Sequence, residues 1–100
     1  MTLESVADHV RVPETRYAPA SFTESCAMLE ATIRQALVHA EHPDANTLSR
    51  RVVLKATTAP EGARAFTAAD CTLRELLSRF ASTWNISASF SGNQILLSRK

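Results

Sequence analysis

The sequence predicts an α+β domain of order β-α-β-β-α-β-β, in which two strand–helix–strand units pack two helices against small mixed sheets. Leu73, Leu76, Leu77, Phe80 and Trp84 recur at the period of one helix face, directly behind the capping box Thr72-x-x-Glu75. The arrangement has a counterpart upstream. Ser21-x-x-Glu24 opens an apolar stripe through Phe22, Cys26, Leu29, Ile33, Ala36, Leu37 and Ala40. Around the two stripes lie runs that alternate with the two-residue period of strands.

In chain order, residues 1–8 show no clear pattern and are expected to form a loose lead-in, with half of a strand as the alternative. Residues 9–17 alternate well enough for an extended segment, which Pro13 confines to an edge or a bulge because proline cannot donate to a ladder. Ala18-Pro19-Ala20 is expected to turn the chain. The first helix then runs from Ser21 toward Pro43, which stops it. A strand over 26–29 with the helix starting at Thr32 is the rival reading, disfavoured because the stripe is unbroken from Phe22 to Ala40.

Residues 42–50 read as a polar loop. Residues 51–58 are the strongest strand, with Val52, Leu54 and Ala56 on one face. Ala59-Pro60-Glu61-Gly62 is turn chemistry, and residues 63–68 form a further strand centred on Phe66. After the second helix, Asn85 is placed where the chain must leave in a left-handed conformation. Ile86, Ala88 and Phe90 alternate with serines, Ser91-Gly92-Asn93 reads as a tight hairpin turn, and residues 94–98 close the domain.

Superposing Ser21 on Thr72 also superposes Phe22 on Leu73, Glu24 on Glu75, Cys26 on Leu77 and Leu29 on Phe80. This is an internal repeat, with one unit over about 9–58 and the other over about 63–98. Neither unit has enough apolar surface to form a core alone, so residues 9–100 are expected to be a single domain.

Composition narrows the function. The chain has 100 residues, 45% of them hydrophobic and 21% charged, which suits one globular core. No apolar run approaches a membrane span, so no membrane insertion of this chain is expected. Residues 1–20 lack the apolar core of a signal peptide, which leaves both cytoplasm and periplasm open. Net charge is +1, but residues 1–44 hold seven acidic side chains against three basic, and residues 45–100 hold three against eight.

The pieces quoted next resemble a known family. They are Val10-Arg11-Val12-Pro13-Glu14-Thr15-Arg16-Tyr17, Ala20-Ser21-Phe22-Thr23-Glu24, Arg51-Val52-Val53-Leu54-Lys55, Thr72-Leu73-Arg74-Glu75-Leu76-Leu77, and Trp84-Asn85-Ile86 with Gly92-Asn93-Gln94-Ile95-Leu96-Leu97. In order and spacing they resemble the short N-terminal domain shared by secretins and TonB-dependent signal transducers. The chain departs from that pattern at Asn85, where the family has glycine, and in the long loop over 42–50. The resemblance implies a non-enzymatic docking module of a bacterial envelope, secretion or signal-transduction assembly, commonly periplasmic. It implies no catalytic residue, and its partner is another envelope protein or a second copy of the chain.

The residues themselves offer little chemistry. His39 and His42 are spaced for one helical turn, but no further metal ligands are placed beside them. Cys71 precedes a helix N-terminus, where a thiolate would be stabilised. In the repeat, however, it matches the small Ala20, and Cys26 matches the core position Leu77. A Cys26–Cys71 bridge fits less well than two packed thiols. Glu24 and Glu75 are explained as caps, and no glycine-rich phosphate loop occurs, so no cofactor is expected.

Arg50, Arg51, Lys55, Arg64, Arg74 and Arg79 are candidates for a basic face. A cytoplasmic nucleic-acid-binding or regulatory domain using this basic half is the alternative function. It is disfavoured because the core pattern claims the aromatics that would stack on bases. Docking is expected instead on the Val53–Lys55 strand or its neighbour at Arg64, with Arg50 and Arg51 in support. The Val53 N–H is the donor expected to face the partner.

Overall fold

The computed structural model describes residues 2–100. Its architecture is α+β, with the predicted order recognisable and several short elements added. The elements are α1 (Leu3–Val6), β1 (Arg11–Val12), β2 (Thr15–Ser21), α2 (Phe22–His39), α3 (Pro43–Leu48) and β3 (Val53–Ala56). They continue with β4 (Ala63–Ala68), β5 (Cys71–Thr72), α4 (Leu73–Trp84), β6 (Ile86–Ser91) and β7 (Gln94–Arg99).

The strands form three small sheets. β1 pairs with β5 and β2 with β4, both antiparallel, while β7 lies between β3, to which it is parallel, and β6, to which it is antiparallel. Strands of the first unit therefore pair with strands of the second in every sheet. One continuous core, from Leu3 to Leu97, fills the space between them.

The two main helices form for the expected reasons. Thr72 and Glu75 make the full capping box, and Asn85 ends α4 at φ 53°, ψ 49°. The Thr72 N–H and hydroxyl hold the Glu75 carboxyl below its usual range. This contribution is present above the ordinary carboxylate range and is lost as pH falls through the lowered value. At α2 the Ser21 hydroxyl accepts from the Glu24 N–H, but the reciprocal half of the box is missing. Ser21 is also the last residue of β2, registered with Ala63.

Four expectations are corrected. Over 2–8, the described part of residues 1–8, the chain is no loose lead-in: Thr2 and Ser5 cap α1, and Leu3, Val6, Ala7 and, just beyond, Val10 are buried. Their spacing is that of a helix face, too short to register as a period. Ala18-Pro19-Ala20 does not turn the chain. β2 runs straight through, and a register shift between Tyr17 and Ala20 forms a bulge that accommodates Pro19. The polar loop over 42–50 contains α3, where Pro43 stands in the first helical turn and Ala45 and Leu48 are buried. The strand predicted over 51–58 shortens to Val53–Ala56, with Val52 buried, Leu54 half-buried and Ala56 exposed.

α3 also ends α2. The Asn46 side-chain amide donates to the carbonyls of Leu37, Val38 and Ala40 at 2.8, 3.0 and 3.0 Å, taking over acceptors that a helix end leaves without partners.

Two stability predictions follow from this packing. Phe80 is fully buried and meets both Phe22 and Phe66, so Phe80→Ala should destabilise the fold by about 3–5 kcal/mol in denaturant melts. Asn46→Ala should cost about 1–2 kcal/mol. Asn46→Asp should cost at least as much, because it removes the donors and adds negative charge at the negative pole of α2.

Candidate docking surface

The three-stranded sheet sets the geometry of the surface. Val53 N–H donates to the Asn93 carbonyl at 3.2 Å and Thr57 N–H to the Leu97 carbonyl at 2.9 Å. Odd-numbered residues of β7 therefore face β3. On β3 itself, Leu54 and Ala56 direct their main-chain groups to the outer edge.

This overturns the role expected of Val53 as an open edge donor. Its N–H is already used inside the sheet, and the outer edge carries the Leu54 N–H instead. That donor meets the Glu30 carboxylate at 3.3 Å, while Arg34 donates to the Val52 carbonyl at 3.2 Å. Glu30 and Arg34 are themselves paired at 2.7 Å, one turn apart on α2. A helix-borne ion pair thus occupies the start of the β3 edge. Glu30 and Arg34 escaped the sequence reading, although an i,i+4 acid–base pair on the polar side of a helix was visible there.

What β3 does present is side chains. Val53 is 45% exposed and, with Val38, is one of the large hydrophobics left open among the described residues. Lys55 lies two residues on, exposed on the same face of the strand. Arg50 and Arg51 are exposed just before the strand and line a shallow depression of about 390 Å³ with Asn46 and Thr47. Among the described residues, none of Arg50, Arg51 and Lys55 is in an ion pair.

Arg64 does not belong to this group. It lies on β4 in a different sheet, and its expected place beside β3 is taken by β7. Its guanidinium donates to the Thr83 carbonyl at 2.6 Å and stands 5.5 Å from the Trp84 ring centre. Arg64 is committed to the end of α4. Arg74 is likewise committed, to Asp8 at 2.9 Å, to Glu4 and to the face of Phe90. The basic residues of the C-terminal half do not form one face. Phe66, Phe80 and Trp84 are buried and present no open ring face on which a base could stack.

The chain matches no protein-family model, no curated protein and no solved structure.

His42 caps α3 without a side-chain bond and stacks on His9 with ring centres 5.9 Å apart. His39 lines a separate groove between α2 and the Pro13 corner. Among the described residues, no group of three His, Cys, Asp or Glu side chains stands close enough to hold a metal ion. No helix there is long and apolar enough to cross a membrane.

Both thiols are free, with Cys71 buried and Cys26 half-buried. Burial pushes the Cys26 thiol up to about 11. Cys71 is also raised, chiefly by burial, with Arg79 pulling the other way. Both are therefore protonated at neutral pH and poor nucleophiles. At pH 8, iodoacetamide should label native Cys26 about a hundredfold more slowly than the unfolded chain, the rate rising as pH climbs toward its raised value. Because the unfolded chain releases this proton first, stability should fall as pH rises between the ordinary thiol range and about 11. Rapid native labelling at pH 8, followed by mass spectrometry, would contradict this account.

Proposed function

We propose that this chain is a non-enzymatic protein-docking module of a bacterial envelope, secretion or signal-transduction assembly, working in the periplasm. Its docking surface is the corner formed by Arg50, Arg51, Val53 and Lys55. The observation that carries the reading is the exposed Val53 side chain, flanked along the chain by the exposed cations Arg50, Arg51 and Lys55, none of them in an ion pair among the described residues. An apolar centre with a charged rim is the pattern of a protein interface. The sign of the rim selects a partner with an apolar side chain set among acidic residues.

The non-enzymatic part rests on how the reactive groups are used. Glu75 completes the α4 capping box, the Glu24 carboxylate accepts from the Ser21 hydroxyl at 3.1 Å, and both thiols are held protonated. The envelope setting rests on the resemblance of the two-unit pattern to the secretin and TonB-transducer domain.

A photo-crosslinking residue at position 53, introduced in the producing cell, should give a defined adduct. A probe at the exposed Glu61 position should give none. Arg51→Glu combined with Lys55→Glu should reduce the Val53 adduct by about tenfold while leaving thermal unfolding unchanged. An adduct at position 53 no stronger than at position 61, or one indifferent to the charge reversal, would exclude this surface.

A further inference from the structure

β6 is the outermost strand of its sheet on the side away from β3. Because odd residues of β7 serve β3, the main-chain groups of Gln94, Leu96 and Ser98 face β6, where their register partners are Ser91, Ser89 and Ser87. The N–H and C=O groups of Ile86, Ala88 and Phe90 therefore point away from the sheet. They border a groove of about 540 Å³ between β6 and α4. On the helix side the wall is built by Arg74 and Leu77 and, further along α4, by the small residues Ser78, Ala81 and Ser82.

This edge lacks the devices that keep edges from pairing. β2 has Pro19 and a bulge, and β3 has Lys55 and the Glu30–Arg34 cover. β6 reads Ile-Ser-Ala-Ser-Phe-Ser, without charge or proline, and its register with β7 is unbroken from Ile86 to Ser91.

The groove is also self-complementary in charge. Glu4 stands at its Phe90 end, since the Leu3 N–H donates to the Gly92 carbonyl at 3.1 Å; Arg74 lies there too, but Asp8 meets its charge at 2.9 Å, so Glu4 leaves that end net negative. Lys100 stands at the opposite end, next to Arg99, which is registered with Ile86. A second copy laid antiparallel brings its Lys100 to Glu4 and its Glu4 to Lys100.

We propose that β6 pairs antiparallel with β6 of a second copy about a twofold axis at Ala88, joining the two three-stranded sheets into one. Ala88 faces its own counterpart, and Ile86 faces Phe90 of the other copy. The outward groups of all three residues then find partners, as an isologous interface requires. The small residues of α4 let the two helices approach on the same side. This pairing is independent of docking at Val53, which lies on the opposite edge strand.

The test is sedimentation equilibrium of the full chain between about 10 μM and about 1 mM, with amide hydrogen exchange at both ends of that range. A dimer should form as concentration rises. Protection should then appear at Ile86, Ala88 and Phe90, and not at Leu54 and Ala56. Ala88→Pro removes an outward donor that the β6–β7 ladder does not use, and should abolish the dimer without unfolding the chain.

Glu4→Lys and Lys100→Glu alone should each weaken association by about tenfold, and the two together should restore it. The double swap keeps the test decisive if the proline variant does not fold. A chain that stays monomeric up to about 1 mM overturns the proposal. So does a dimer whose protection appears at Leu54 and Ala56, or one in which the charge swap fails to restore association.

Discussion

A continuous chain of aromatic rings holds the two units together. Tyr17 meets Phe66 at 5.5 Å, Phe66 meets Phe80 at 5.4 Å, Phe80 meets Phe22 at 6.3 Å and Phe22 meets Trp84 at 5.2 Å between ring centres. These separations suit edge-to-face and tilted contacts, which the ring quadrupole favours over flat stacking. The rings come in turn from β2, β4, α4, α2 and again α4, so no two neighbouring rings along the chain of contacts belong to one element. Because β2 pairs with β4 and β3 with β7, the sheets have the same interlocked parentage as the rings. Neither unit keeps a complete face of its own. The two stretches related in sequence share one continuous core in space.

That core also determines which charged residues remain free. Trp84 ends the α4 stripe and is buried, and Arg64 reaches across from β4 to the end of the same helix. Arg74, on the exposed side of α4, is drawn to Asp8 just beyond α1, to Glu4 of α1 and to the face of Phe90. A count of basic residues in the C-terminal half suggests one patch. Packing divides them between helix-end contacts, ion pairs and a small free cluster at Arg50, Arg51 and Lys55. Of the six aromatic residues in the chain, only Phe90 stands outside the ring network, half-buried at the groove beside β6.

Elements specified by a long local period were legible in the sequence. The α4 stripe with its capping box, the β4 strand around Phe66 and the Gly92-Asn93 turn are all set by local chemistry, and Gly92 takes φ 60° as that turn requires. Short elements were not legible. α1 and α3 each have about one turn of pattern, and their stability comes from the core that Leu3, Val6, Ala45 and Leu48 join. The candidate surface was legible in part. Arg50, Arg51, Val53 and Lys55 are adjacent in sequence and stay together on the surface. Arg64 was assigned by sequence proximity of two strands that the fold places in different sheets. The direction of the Val53 N–H depends on which strand lies beside β3, and no local pattern specifies a parallel partner forty residues away in the chain, as the Thr57–Leu97 contact illustrates.

Edge protection follows from the same topology. β7 is paired on both sides, so its two neighbours must be edges whatever their sequences. β3 is covered because α2, whose apolar stripe faces the core, carries Glu30 and Arg34 on the flank that passes Leu54 and Val52. The helix buries one face and blunts an edge with the next, so a single element meets both needs. α4 cannot do the same for β6. Along the groove it offers Ser78, Ala81 and Ser82, none long enough to reach the outward N–H groups, and its one nearby long cation, Arg74, is held by Asp8 and Glu4. The difference between the two edges therefore lies in which side chains the neighbouring helix presents, because the strands themselves are equivalent in position at either side of β7.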